Sequence, residues 1–130
     1  MPKLLLAEDD EFSRDMLLRR LERQGYVMVA AADGHEAVLA ARQHRPDLIL
    51  MDLDMPVLDG HGAIAALKSD PRTFKIPVIV LTAHASAEHV AEAVAAGCQA
   101  YETKPIVLRR LLGRIAEFLG PVPAGTERVT

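Results

Sequence analysis

Short uncharged runs alternate along this chain with longer stretches in which apolar residues recur every three to four positions. Leu4-Leu5-Leu6-Ala7 reads as a buried strand. Residues 12–24 follow as an amphipathic helix, with Leu17, Leu18 and Leu21 on one side and Arg14, Arg19, Arg20 and Arg23 largely on another. Gly25 stops that helix. Val27 to Ala30 predicts a second strand, and Asp33 caps a helix over 34–44 that ends before Pro46. Asp47 to Met51 is the third strand, and Met55-Pro56 and Asp59-Gly60 mark a loop. A third helix begins at Ala63 to Leu67 and closes at Asp70-Pro71. Ile76 to Leu81 predicts the fourth strand, Ser86 caps a helix over 87–96 ended by Gly97, and 99–103 forms a short fifth strand. Leu108, Leu111, Leu112, Ile115 and Leu119 give the fifth helix, spanning 106–119, which Gly120-Pro121-Val122-Pro123 breaks. Five strands alternating with five helices predict an α/β fold, a parallel sheet with helices on both faces. The pattern leaves the strand order open.

The ends of these strands carry the polar chemistry. The first runs into Glu8-Asp9-Asp10, the third into Asp52, the fourth into Thr82 and the fifth into Lys104-Pro105. In a parallel sheet these ends share one edge, where α/β proteins place their sites. Acids, a hydroxyl and one lysine therefore converge, a set suited to a divalent metal and a phosphoryl group.

Composition narrows the function. The chain has 130 residues, enough for one domain with a real core, and 50% hydrophobic and 25% charged residues are ordinary values. A net charge of -3 argues against non-specific nucleic-acid binding. The charge is uneven. Residues 1–60 hold 12 acids and 7 bases, and residues 61–130 hold 6 acids and 8 bases, so the acids concentrate where a cation site would need them. The one cysteine, Cys98, excludes an internal disulfide and reads as a small buried residue. A cytoplasmic location fits; the N-terminus does not read as a signal peptide, and no run approaches the roughly 20 apolar residues of a membrane span.

The segments Leu6-Ala7-Glu8-Asp9-Asp10, Leu50-Met51-Asp52-Leu53-Asp54-Met55-Pro56 through Asp59-Gly60, Leu81-Thr82-Ala83 and Lys104-Pro105 resemble the receiver domain of two-component response regulators. The match covers about residues 3–119, and the motifs fall in order at the expected strand ends. The resemblance implies a doubly wound, five-stranded parallel sheet of flavodoxin-like order, with the receiver over 1–119 and 120–130 as a flexible tail. It implies that Asp52 is the phosphoacceptor. A carboxylate is a feeble nucleophile in water, but beside a divalent metal it stays ionised and aligned. Asp9 matches the direct ligand of Mg2+ (or Mn2+), and Glu8 acts mainly through water or orients ligands. The backbone carbonyl of Asp54 completes the set, since magnesium keeps several waters. The register within Glu8-Asp9-Asp10-Glu11 is ambiguous on residues alone; Glu8 and Asp9 are chosen because they directly follow the strand, while Asp10 and Glu11 suit a helix N-terminus.

Thr82 matches the hydroxyl that hydrogen-bonds a phosphoryl oxygen, and Ala83 leaves room beside it. Lys104 matches the lysine that pairs with the acids and then with the phosphoryl group, and the resemblance implies a cis Lys104-Pro105 peptide. Tyr101 matches the switch aromatic, which turns inward as the hydroxyl of Thr82 moves toward the phosphoryl group. Asp54 and His84, each two residues beyond a site residue, match positions that tune hydrolysis. The implied partners are a histidine kinase or histidine phosphotransfer protein, and a downstream protein contacting the face of the fourth helix, fifth strand and fifth helix. With no DNA-binding region after the fifth helix, direct nucleic-acid contact is not expected, nor is membrane insertion. A receiver also catalyses its own metal-dependent phosphorylation and dephosphorylation, so the label of enzyme is borderline. The overall wording is closest to stand-alone regulators of the chemotaxis and cell-cycle type.

Other readings fit less well. The Asp52-Leu53-Asp54 segment also resembles haloacid-dehalogenase-type phosphatases, but there it follows the first strand, and no cap domain fits within 130 residues. A Rossmann-type binder would need a glycine-rich loop after the first strand, where acids stand instead. A receiver-like binding module that works without phosphorylation would be favoured if a site residue were missing. His35, His44 and His89 read as solvated and His61 sits after Gly60 at the entry of the third helix; none has a second histidine or cysteine at ligand spacing, so zinc is not expected. Arg109, Arg110 and Arg114 on the fifth helix fit a partner surface or a solvated face, and the solvated face is favoured.

Overall fold

The computed structural model describes residues 2–53, 55, 60–84 and 86–121. Its elements alternate without exception: β1 (Lys3–Ala7), α1 (Glu11–Arg23), β2 (Val27–Ala31), α2 (Gly34–His44), β3 (Leu48–Asp52), α3 (Gly60–Lys68), β4 (Val78–Thr82), α4 (Ala87–Ala96), β5 (Ala100–Thr103) and α5 (Leu108–Leu119). All pairings are parallel, and the sheet order is β2-β1-β3-β4-β5. This is the doubly wound, flavodoxin-like sheet that the family resemblance implies and the residue pattern alone left open.

Strand alternation splits the core in two. Leu5, Ile49, Met51, Val78 and Val80 pack on the face covered by α2, α3 and α4, with Val38, Ile64, Leu67 and Ala93. Leu4, Leu6, Leu48, Leu50, Ile79 and Leu81 pack on the other face, with Leu21 of α1 and Leu111, Leu112 and Ile115 of α5. The inner strands are apolar on both sides because both faces are covered. Apolar burial of this kind, worth about 25 cal/mol per Å2, is the main force assembling the sheet.

Local chemistry sets the helix ends. Asp10, Asp33 and Ser86 accept hydrogen bonds from the backbone N–H groups of Ser13, Glu36 and His89, capping α1, α2 and α4. Gly25 and Gly97 take the left-handed conformation just past α1 and α4, as their placement after each periodic stretch leads one to expect. Several boundaries shift from the pattern by one to three residues, among them the start of β4 at Val78, not Ile76, and two of the shifts have a local cause. Helix α3 starts at Gly60, not Ala63, because the poor formers Gly60 and Gly62 are drawn into helix by tertiary packing. Helix α5 starts at Leu108, not 106, because Val107 is extended and offers no capping side chain. The expected tail lies outside the described residues beyond Pro121.

Candidate functional site

In this order the chain reverses direction between β1 and β3, which makes their C-terminal ends the switch point of the sheet. Register sets Ala7 beside Met51, so Glu8 and Asp52 leave their strands side by side. Register between β3 and β4 sets Asp52 beside Leu81, and that between β4 and β5 sets Thr82 beside Thr103. The backbone N–H of Lys104 then donates to the Thr82 carbonyl (2.8 Å), which brings the lysine back over the edge. Four separate strand ends thus deliver Glu8, Asp52, Thr82 and Lys104 to one place. The Lys104–Pro105 peptide is cis.

The charges are closely arranged. Lys104 Nζ donates to Glu8 Oε1 (3.0 Å) and Asp52 Oδ2 (3.1 Å). Asp52 is 2% exposed and Glu8 5%, whereas Asp9 faces solvent. Carboxylate oxygens of Glu8, Asp9 and Asp52 lie within 4.8 Å of one another. Burial, then hydrogen bonding to Asp52, pushes the Glu8 carboxyl up to about 7, against the opposing pull of Lys104. Burial alone would lower the Lys104 ammonium, but its hydrogen bonds to Glu8 and Asp52 outweigh this and raise it. The two shifts are consistent. One lysine is held firmly charged by two buried acids and cannot neutralise both, so Glu8 holds a proton more readily than a free glutamate does. A group short of positive charge, with three oxygen donors and an open side at Asp9, fits a hard divalent cation such as Mg2+.

Geometry separates the four consecutive acids. Glu8 and Asp9 gather with Asp52, while Asp10 caps α1 through Ser13 and is held below its ordinary value by that hydrogen bond. Thr82 is buried, and its Oγ1 accepts from the backbone N–H of His84 (2.9 Å). Ala83 and His84 are exposed beside it. Tyr101 on β5 is 40% exposed, so its ring points away from the packed interior. Asp54, with its carbonyl, and the Pro56 and Asp59 markers of the loop lie outside the described residues.

Three arrangements escape a reading of the chain alone. Glu102 of β5 is buried and receives a charge-assisted hydrogen bond from Arg114 Nε (3.1 Å), so Arg114 is a structural tie and not simply part of a solvated face. Asp70 is likewise buried and held by Arg72 and, from α2, Arg42 (2.8 Å); the Arg72 guanidinium holds its carboxyl well below the usual range. No histidine has a second one at ligand spacing in the sequence, yet the fold brings two together. His61 and His89 come together across α3 and α4, their rings 5.4 Å apart, because these helices are neighbours on one face of the sheet. His35 and His44 are solvated as expected, and Cys98 is buried.

An open sheet whose switch point gathers acids, a threonine and a lysine defines the receiver class of signalling domain. Residues 4–116 match the model of the response regulator receiver domain, and the chain belongs to that family. Over 121 residues it is 38% identical to the polar-differentiation response regulator DivK of Brucella anthropi, a match covering 92% of this chain and 98% of DivK. It is 36% identical over 118 residues to the transcriptional regulatory protein PrrA of Mycobacterium tuberculosis, covering 91% of this chain and 50% of PrrA. Chemotaxis protein CheY4 of Vibrio cholerae superposes with a TM-score of 0.87 at 31% identity, covering 91% of this chain and 98% of the other. The receiver domain of a sensor histidine kinase from Pseudomonas aeruginosa gives 0.86 at 32% identity, covering 92% and 98%, and that structure has a magnesium ion coordinated in its active-site cleft. The chain is therefore a receiver of two-component signalling, a family whose members exchange signals with histidine kinases or phosphotransfer proteins and with downstream targets. Among the described residues no helix is long and apolar enough to cross a membrane.

Proposed function

We propose that Asp52 accepts a phosphoryl group from the phosphohistidine of a kinase or phosphotransfer protein, and that residues 1–119 form the working unit. The observation that carries this reading is the meeting of Glu8, Asp9, Asp52 and Lys104 at the switch point, with Thr82 beside them. An Asp52 carboxylate oxygen attacks phosphorus as the P–N bond to the donor imidazole breaks, leaving an aspartyl phosphate. Asp9, Asp52 and the Asp54 carbonyl would hold Mg2+ (or Mn2+), with Glu8 acting mainly through water or orienting ligands, and the ion would supply charge that offsets the phosphoryl group and keeps the carboxylate aligned. Lys104 already lies against Asp52, and its ammonium transfers from the free carboxylate to a phosphoryl oxygen. The Thr82 hydroxyl, now an acceptor from His84 N–H, has its own proton to donate to a phosphoryl oxygen. Attack of water on phosphorus reverses the state.

The new charge shifts a population between two preexisting arrangements. The exposed ring of Tyr101 suits the unphosphorylated one; inward rotation, coupled to Thr82, alters the α4–β5–α5 face, which we assign to the downstream protein. A cytoplasmic site of action fits a phosphoryl donor of this kind. The test is intact mass after incubation with acetyl phosphate, with and without Mg2+, for wild type and Asp52→Ala. A Mg2+-dependent gain of one phosphoryl group in wild type alone is expected. No gain in wild type with Mg2+ bound would replace this reading with a binding module that works without phosphorylation.

A further inference from the structure

We propose that His61, His89 and Glu92 form a second cation site, one for a borderline transition metal such as Zn2+, separate from the all-oxygen group at Asp52. His61 is the second residue of α3; His89 and Glu92 lie one turn apart on the same side of α4. One ligand atom from each falls within 4.8 Å of the others. The imidazoles meet edge to face at 5.4 Å, and Glu92 Oε2 stands 3.8 Å from His61 Nε2.

The nitrogens themselves point to a ligand. Nε2 of His61 and Nε2 of His89 are both shielded from solvent, and neither has a hydrogen-bond partner among the described residues. Buried polar atoms are nearly always satisfied, because an orphan keeps the full cost of its lost hydration. Here two orphans sit together with a carboxylate at their side. In the present arrangement no hydrogen bond joins these atoms, and a cation accepting both lone pairs and a carboxylate oxygen would serve all three. Two imidazoles and one carboxylate, with a fourth position left to water, is the donor set of open Zn2+ sites. Nitrogen donors of this kind favour Zn2+, Co2+, Ni2+ or Cu2+ over Mg2+. Tetrahedral ligation at about 2.0–2.1 Å places ligand atoms about 3.3 Å apart. Closing from the present spacing asks only for side-chain rotation, and Glu92, with 59% of its side chain exposed, is free to swing. The His84 ring lies beyond His89, with centroids 6.1 Å apart, and is not one of the three. A cation there would tie α3 to α4, the helices that follow Asp52 and Thr82 in the chain.

The experiment is Zn2+ titration of the full chain in excess Mg2+ against a chromophoric chelator, with Co2+ absorption as a second probe of nitrogen ligation. The variants are His61→Gln, His89→Gln and Glu92→Gln, with exposed His35→Gln as control and Asp9→Asn to disable the acidic group. Wild type, His35→Gln and Asp9→Asn are expected to bind one Zn2+ alike. Replacing groups that merely orient a ligand costs about 10–100-fold in metal affinity, so losing a ligand should weaken binding at least about tenfold in His61→Gln and His89→Gln. Glu92→Gln changes a largely exposed side chain, so its weakened binding is read without a folding defect. Unchanged affinity in the three site variants, or Zn2+ binding lost only in Asp9→Asn, would overturn the proposal.

Discussion

A methyl group added at Gly60 should destabilise the protein, although the same substitution elsewhere should stabilise it. Gly60 opens α3, and a Cβ built there would stand 2.6 Å from Leu53 Cα and 2.7 Å from the Asp52 carbonyl oxygen. Both are backbone atoms at the end of β3 and cannot rotate away. Ordinary contacts lie near 3.5–4.0 Å, so backbone must move by about 1 Å. Overpacking of this kind costs about 1–3 kcal/mol, against the roughly 0.5–1 kcal/mol by which Ala exceeds Gly in a helix. Gly113 supplies the matched case. It lies in α5, is exposed, and an added Cβ meets nothing within 4 Å. Gly113→Ala should therefore stabilise by about 0.5–1 kcal/mol. For a chain of this size each kcal/mol moves Tm by about 3–5 °C. Thermal unfolding followed by circular dichroism should show Gly60→Ala below wild type and Gly113→Ala above it. Because the clash falls on the Asp52 carbonyl, Gly60→Ala should also slow phosphorylation by acetyl phosphate. A Gly60→Ala protein as stable as wild type would refute the reasoning, since it would mean the α3 entry yields without cost.

Three further outcomes follow from the charged groups. Glu8, raised from 4.5 to about 7, binds its proton more tightly folded than unfolded, so stability without metal should fall as pH rises from about 4.5 to about 7 and then level. Since a cation needs the carboxylate ionised, Mg2+ affinity should climb over the same window; calorimetric titration at pH 5.5 and 8 checks this, and Glu8→Gln should flatten the slope. Lys104→Met leaves Glu8 and Asp52 without their shared ammonium, so stability at pH 7 without Mg2+ should drop by about 1–3 kcal/mol in urea unfolding, while Mg2+ binds more tightly for want of a competing charge. Arg114→Ala strands the buried Glu102 carboxylate; a loss of about 1–2 kcal/mol is expected by the same assay, with phosphorylation of Asp52 retained.

Much of the fold was legible because local and global signals agree. Apolar runs, capping Asp10, Asp33 and Ser86, and the breaks at Gly25 and Gly97 mark the elements within a few residues. Site chemistry was legible for a related reason: Asp52, Thr82 and Lys104 stand at or just past strand ends, and parallel strands must bring such ends together. Strand order was not, because crossovers of similar length permit several orders. The start of α3 was hidden by glycines whose helical state depends on packing against β3. Glu102–Arg114, Asp70–Arg42 and His61–His89 were hidden because each partner alone resembles a solvated residue. Only the meeting of distant elements gives each pair its chemistry.

Everything proposed for this site turns on Asp52 carrying the phosphoryl group. Reduction of acetyl phosphate-treated protein with borohydride converts an aspartyl phosphate to homoserine, which peptide mass spectrometry can locate. Homoserine is expected at position 52 alone, dependent on Mg2+ and lost in Lys104→Met or Asp9→Asn to a degree that follows their phosphorylation rates. Homoserine at Asp9 or Asp10 with position 52 unmodified would contradict it.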